Sequence, residues 1–437
     1  MSELNLLLLD GPLSAMELMA RLDVSQATLS RLVARQKEII KYGRARATRY
    51  ALLRPIRQTD EWPLWRIDEA GRAHAAGTLR PVWPQGSCVV KDADGQWQFY
   101  AGLPWFLSDM RPQGFLGRAW GRESATALGL PPDIRLWNDD QSLLALGQTG
   151  VDMPGNYLIG QAAYQRWLTA RDPETIAPCE KTQRYPQLAA RALGGEEPGS
   201  SAGGEQPKFL CYSEDSGHCL VKFSGQRDNE NSQRWRDLLR AEHLALALLA
   251  QHALPAARSQ LLEVNSQLFL EVERFDRIKQ RGRRGMVSLE AVGAEFLGSL
   301  ANWPVALRQL AQAKRISDQD AARGTLQWAF GRLIANSDMH AGNLSFFMDS
   351  DRLTLTPAYD MLPMALAPNT LGEMRDSVTL RLDVTLPRAV WQPASVMAKA
   401  YWQAVIEEEA FSAGFRAVAR QALQQVAALD VTIAQMA

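Results

Sequence analysis

Residues 336 to 347 read NSDMHAGNLSFF, crowding two asparagines, an aspartate and a histidine against an apolar, aromatic run. Asp338 and Asn343 lie five positions apart, and the segment TPAYDM places Asp360 just after the strand-like LTLT. Three oxygen ligands from two neighbouring loops suit a hard cation such as Mg²⁺, usually held by one or two carboxylates together with substrate phosphates. Upstream, GGEEPGSSAGG carries five glycines in eleven residues and runs into EQPKFLCY and HCLVKFSG. Glycines let backbone N–H groups approach an anion closely, and Lys208 and Lys222, on adjacent strand-like runs, would add positive charge. The same composition also describes a plain linker. His340 has no histidine or cysteine partner nearby, so a hydrogen-bonded structural role is favoured over general base or metal ligand.

These groups need elements to hold them. TLQWAFGRLIANSD reads as an apolar helix ending at the polar loop, LFLEVERFDRI as a strand ending in charges, and NSQRWRDLLRAEHLALALLAQHAL as a long helix with Glu242 partway along. Strands dominate before this point and helices after it, which implies two lobes. KQRGRRG reads as a basic, solvated loop. The first 56 residues form a separate pattern. A helix is expected around Leu4 to Leu9, and SAMELMARL opens with the Ser14/Glu17 capping-box spacing. A second helix follows, SQATLSRLVARQ, with Ser25 as its cap, and then IIKYGRARATRYALL reads as a hairpin. Between Lys41 and Arg57 stand six basic residues and no acidic one. Together these describe a helix-turn-helix with a wing. Gln26, Thr28 and Arg31 would face a DNA groove, and Arg44, Arg46 and Arg49 would meet phosphates. A small packing or dimerisation domain is the alternative. From residue 58 to about 190, short β-prone runs between Gly and Pro turns suggest a mixed α/β module. Eight of the thirteen tryptophans lie there, and they read as packing residues because nothing titratable recurs among them.

The chain has 437 residues, 46% of them hydrophobic, with 48 basic against 48 acidic side chains. Two or three domains are expected, and no nucleic-acid or lipid preference comes from total charge. Cys88, Cys179, Cys211 and Cys219 show no zinc-type spacing and read as reduced thiols. MSELNLLLLDGP has neither a basic leader nor the length of a membrane span, so a cytoplasmic protein without a membrane partner is expected.

The interval from Asp338 to Asn343 matches the catalytic loop of protein kinases. Taken together and in order, SSAGGEQPKF, LVKF, EVERFDR, NSDMHAGNLSFF and TPAYDM resemble the HipA-like serine/threonine kinases, a toxin family linked to bacterial persistence, over roughly residues 100 to 437. The resemblance implies an α+β, two-lobed protein-kinase-like fold with an α-helical C-terminal lobe, here preceded by the winged helix-turn-helix. The expected division is residues 1–56, 57–276 and 277–437. It also implies roles. Asp338 would be the catalytic aspartate, and Asn343 and Asp360 the Mg²⁺ ligands. ATP would be bound by the phosphate-loop residues Ala202, Gly203, Gly204, Glu205, Gln206 and Lys208, by Lys222, by a hinge of Glu273, Arg274 and Phe275, and near His340, Gly342 and Tyr359. Family members switch themselves off by phosphorylating a loop serine, which here would be Ser201, with Ser200 as the neighbouring candidate. Glu242 would pair with Lys222, by analogy with the lysine–glutamate pair of kinases. The substrate would be a Ser/Thr-bearing protein, as in relatives that modify the translation machinery. Family toxins bind a separate helix-turn-helix antitoxin, whereas this chain carries its own such element. The GxGxxG and DFG motifs of classical kinases are absent. Two other readings stay open: a winged-helix regulator using a kinase-like domain to sense nucleotide, and a metal-dependent nuclease.

Overall fold

Ser2, Ser14 and Ser25 each open a helix by accepting a backbone N–H three residues on. The helices are α1 (Glu3–Leu7), α2 (Ala15–Leu22) and α3 (Gln26–Ala34), with the strand β1 (Leu13–Ser14) between the first two. These observations come from a computed structural model that describes residues 2–194, 206–348, 352–369 and 372–436. The Ser14/Glu17 capping box is reciprocal, as its spacing predicts. α1 stops sooner than expected, yet Leu8, beyond its end, is fully buried. β2 (Ile39–Tyr42) and β3 (Arg49–Leu52) pair antiparallel, and β1 joins the far side of β3 in the order β1-β3-β2. Leu4, Leu8, Leu18, Leu29, Ile39, Tyr50 and Leu52 share one core.

The other face of this hairpin is buried too. Ile40, Tyr42, Ala51 and Leu53 pack with Val82 and Val89 of the following sheet. That sheet is an antiparallel meander of β4 (Trp62–Ile67), β5 (Ala73–Pro81), β6 (Cys88–Asp92) and β7 (Trp97–Tyr100), with β8 (Tyr157–Ile159) on the outer side of β4. Around it run α4 (Trp105–Ser108), α5 (Gly114–Leu128), α6 (Asp139–Thr149) and α7 (Gln161–Thr169). Trp62 fills the core so tightly that a Cβ on Gly147 of α6 would lie 2.1 Å from its ring. Arg54 grips Asp140 with both guanidinium nitrogens, at 2.5 and 2.6 Å.

Two compact units result: Met1–Gln113 with Gly117–Arg171, and Gly114–Leu116 with Asp172–Ala437. Residues 57–171 close their own sheet and share a core with the N-terminal hairpin, while a new sheet starts at Thr175.

In the second unit, β9 (Thr175–Ile176) is followed by α8 (Lys181–Leu193), then β10 (Lys208–Ser213), β11 (Gly217–Phe223), α9 (Glu230–Gln251), β12 (Ser259–Val264) and β13 (Gln267–Glu273). The strands order as β12-β13-β11-β10-β9. Side chains alternate across a strand. Phe209, Cys219, Val221 and Phe223 therefore pack with Tyr185 and Ala189 of α8, while Leu268, Leu270 and Val272 meet Leu239 of α9. Lys208 and Lys222 are direct cross-strand partners and share the α9 face. Beyond a short hairpin, β14 (Arg277–Ile278) and β15 (Gly282–Arg283), come β16 (Met286–Ser288), α10 (Leu289–Phe296), α11 (Trp303–Gln312), α12 (Asp318–Leu333), β17 (Ser345–Phe347), β18 (Thr354–Leu355), α13 (Arg388–Glu407) and α14 (Ala413–Ala434). The strand-rich half and the helical half are the two lobes. The KQRGRRG stretch corrects its expected solvation: Lys279 and Gln280 are exposed, but Arg283 is buried and the Arg284 guanidinium lies 3.6 Å from the centre of the Phe347 ring. Pairing of β14 with β15 sets Arg283 opposite Arg277, and Arg284, just beyond the pair, donates its N–H to the Asp276 carbonyl at 3.1 Å. Among the described residues, no helix is long and apolar enough to cross a membrane.

Candidate active site

Lys222 is buried on the α9 face of the central strand β11, where an unpaired ammonium would be untenable. Its Nζ lies 2.7 Å from each carboxylate oxygen of Glu242 on α9 and 2.5 Å from Oδ1 of Asp360. The pairing with Glu242 anticipated from chain order is thus present, and Asp360 completes it. Burial works against the charge on Lys222, but Asp360 and Glu242 outweigh it and hold its pKa above the ordinary lysine value. Burial pushes Glu242 upward, with Lys222 pulling it back. For Asp360 burial is overcome by Lys222 and Lys208, with a smaller pull from His340, and its carboxyl is held below the usual range. Two cross-strand lysines would repel each other; here two carboxylates face them.

Asp360 adopts a left-handed backbone, φ 52°, which Asp tolerates better than most residues. The side chain of Asn336 ties this turn to the neighbouring loop. Its Nδ2 donates to the Asp360 carbonyl at 3.3 Å, and its Oδ1 accepts the N–H of Asp338 at 3.0 Å. The Nδ2 of Asn343 donates to the carbonyl of Asp338 at 2.8 Å, which leaves its amide oxygen as the end able to ligate a cation. The Asp338 carboxylate is 54% exposed, with His340 Nε2 at 3.9 Å. His340 Nδ1 accepts the N–H of Gly342 at 3.0 Å, so the ring proton sits on Nε2, towards Asp338. That tautomer fits a structural histidine better than a base. Trp303 Nε1 donates to the His340 carbonyl at 3.0 Å, and Tyr359 OH donates to Gly342 O at 2.9 Å while bonding Ser345 at 2.6 Å. The loop is braced by Trp303 of α11, Ser345 of β17 and Tyr359, the residue before Asp360.

The hinge residues lie at the end of β13. The N–H groups of Glu273 and Arg274 are used within the lobe, by Arg258 O and His218 O. Arg274 forks onto Asp276, with both contacts at 3.1 Å. Phe275 packs at 5.8 Å ring to ring against both Phe347 and Tyr359, forming an aromatic floor. Gln206 donates to the Phe223 carbonyl. Ser200, Ser201, Ala202, Gly203, Gly204 and Glu205 lie outside the described residues. In the first unit, Gln26, Arg31, Arg44 and Arg49 are exposed and Thr28 is half-buried. Arg31 bonds Thr28 at 3.3 Å and Arg49 leans on Glu17 at 3.5 Å. The side chain of Arg46 lies outside the described set.

The structure thus gathers Lys208, Lys222, Asp338, His340, Gly342, Asn343, Tyr359 and Asp360 around one locus of the second unit. Reasoning from sequence missed Asn336 and Trp303. Asn336 stood in the quoted motif, and its position two before Asp338 is that of a residue that can cap its own loop. Nothing local marked Trp303, whose partner is set by tertiary packing. Among the described residues, no cluster of three His, Cys, Asp or Glu is arranged to hold a metal, so any cation here would rely on Asn343, Asp360 and phosphate oxygens.

A lysine strand, a glutamate helix and a polar loop between two lobes define a kinase-like α+β protein. Comparisons agree. Family models match residues 58–168 to the middle domain of YjjJ-like toxins and residues 200–429 to the HipA-like C-terminal domain. The Toxin YjjJ of Escherichia coli (strain K12) is 48% identical over 441 residues, covering 100% of both chains. Among solved structures, a chain of the Shewanella oneidensis MR-1 toxin–antitoxin complex of HipA, HipB and operator DNA aligns with TM-score 0.53 and 17% identity, over 83% of this chain and 96% of its own. The Helicobacter pylori proinflammatory kinase CtkA aligns at TM-score 0.36 and 12% identity, over 54% of this chain and 91% of its own. The chain belongs to the HipA-like toxin family and has its kinase-like fold.

Proposed function

We propose that this chain is an ATP-dependent serine/threonine protein kinase of the HipA toxin type. The observation that carries the reading is Lys222, held between Glu242 and Asp360 at 2.5 to 2.7 Å and joined through Asn336 to the loop of Asp338. In this reading the adenine lies against the Glu273–Phe275 hinge, with Phe275 and Tyr359 as its floor. Lys208 and Lys222 offset the charge of the phosphates. The exposed Asp338 carboxylate orients a substrate serine or threonine hydroxyl, positioned by its braced backbone. His340 and Gly342 flank it. Asn343 Oδ1 and the partly exposed Asp360 carboxylate form an oxygen set that fits Mg²⁺. When bound, Mg²⁺ would supply positive charge to the transferring phosphoryl group. Catalysis of this type is mainly positioning and electrostatics.

The test is transfer of labelled phosphate from ATP by purified protein. Asp338→Asn, at an exposed position, should leave folding unchanged and lower transfer by ~10²-fold or more. Undiminished transfer by this variant would remove the assignment. ATP binding without any transfer by the wild type would favour the nucleotide sensor. Ser201, or its neighbour Ser200, is the proposed autophosphorylated off-switch, read by mass spectrometry after incubation with ATP. We read residues 1–56 as a winged helix-turn-helix that binds DNA through Gln26, Thr28, Arg31 and the arginines Arg44, Arg46 and Arg49, a reading supported by the succession of α2, α3 and the β2–β3 hairpin. The HipA of known structure was seen with an antitoxin and operator DNA, which supports looking for both partners here.

A further inference from the structure

Glu242 can hold Lys222 only if α9 is itself held, and two side chains and one backbone carbonyl on one stripe of that helix answer to the helical lobe. Arg234, Asp237 and Ala241 are spaced three and four apart, so they line one face. Arg234 Nη1 donates to the carbonyls of Leu366 at 2.9 Å and Arg375 at 3.0 Å. Asp237 is fully buried and accepts from both the N–H of Ser412, at 3.0 Å, and its hydroxyl, at 2.6 Å. Ser412 in turn caps α14 by accepting the N–H of Phe415. The Tyr401 hydroxyl, buried on α13, donates to the carbonyl of Ala241, the residue before Glu242. On the opposite side, Arg236 donates to Ser266 O at 2.9 Å and Arg240 pairs with Glu263 at 2.7 Å, fastening the same helix to the β12–β13 hairpin.

We propose that Asp237 and Ser412 are positioning residues for phosphoryl transfer, clamping α9 to the N-terminus of α14 so that Glu242 keeps Lys222 in place. Gln233 Nε2, one turn back on α9, also donates to Asp237 Oδ1 at 3.2 Å, but the contacts that leave the helix are the N–H and O–H of Ser412 at the start of α14, where both bonds and the helix dipole favour the same placement. Glu242 follows Asp237 by five residues on a continuous helix, so a slip at the anchor moves the glutamate. This rests on the kinase reading of the site.

The experiment has two independent readouts. Hydrogen–deuterium exchange on the full chain reports the clamp without reference to activity. Asp237→Ala should speed exchange across residues 237–245, while α12 stays protected as in the wild type. Phosphotransfer kinetics report its role. Asp237→Ala should lower kcat by ~10-fold or more with a smaller change in KM for ATP. In an Glu242→Ala background the same change should have an effect of less than ~2-fold, because both act through one contact. Asp237→Asn, which keeps an oxygen for the Ser412 N–H, should recover part of the loss, and Ser412→Ala should give a milder version should Asp237→Ala fold poorly. Unchanged exchange across 237–245, or losses that multiply in the Glu242→Ala background, would overturn the proposal. A wild type that transfers no phosphate, together with faster exchange across 237–245 in Asp237→Ala, would overturn the kinase reading and leave the clamp standing.

Discussion

Lys222 carries a structural and a chemical burden at once. Its charge is buried and balanced by two carboxylates, so removing it leaves Glu242 and Asp360 facing each other unpaired. Truncating one partner of a buried pair typically costs about 3–5 kcal/mol, and Lys222→Met should show a loss of that size in urea unfolding near neutral pH. The sign of the pH dependence follows from the directions of the shifts. Lys222 is raised, so its contribution is present below the ordinary lysine pKa and is lost as pH climbs through the raised value. Asp360 is lowered, so its contribution is present above the ordinary aspartate pKa and is lost on acidification through the depressed value. The gap between wild type and Lys222→Met should therefore narrow in acid; a gap independent of pH would mean that the charges do not set the stability here. At this scale much was legible. The five-residue interval from Asp338 to Asn343 and the order lysine strand, glutamate helix are local or sequential signals. Asn336 and Trp303 were not, because a polar side chain that braces another loop looks like any polar side chain until its partner is near.

Among elements, the helices were the easier part. Serine caps at positions 14 and 25 and a reciprocal Glu17 leave little freedom over where α2 and α3 begin. Composition does not reveal that the basic run after Ile278 turns inward, because strand pairing decides which way Arg283 faces and a distant ring, Phe347, receives Arg284. Arg31 remains exposed on α3, and its helical bonds to Ala27 O and Thr28 are long, at 3.4 and 3.3 Å. Those bonds are weak enough to yield to a phosphate or base edge. If α3 enters a DNA groove, Arg31→Ala should weaken retention in an electrophoretic assay. Were its partner a phosphate, the slope of log K against log salt should shrink by about 0.9. Retention equal to wild type at every salt concentration would leave α3 without a DNA role.

For the whole molecule, the packing of one segment on the next was the least legible property. The first 56 residues form a separate pattern in the sequence, and in the fold Ile40, Tyr42, Ala51 and Leu53 are buried against Val82 and Val89, with Arg54 locked to Asp140. A truncation that starts at residue 57 should expose that apolar face and give aggregated or poorly folded protein. One that starts at residue 172 should fold, because the second unit keeps its own sheets and helices. Circular dichroism and sedimentation of the two fragments check this, and a soluble, cooperatively folding 57–437 fragment would contradict it. The shared core also bears on how such a protein changes partners over time. A module strung on a linker can be exchanged for another by recombination at the linker. One whose hairpin doubles as the lid of its neighbour's hydrophobic interior must be inherited together with that neighbour, or be refitted residue by residue before any replacement is tried.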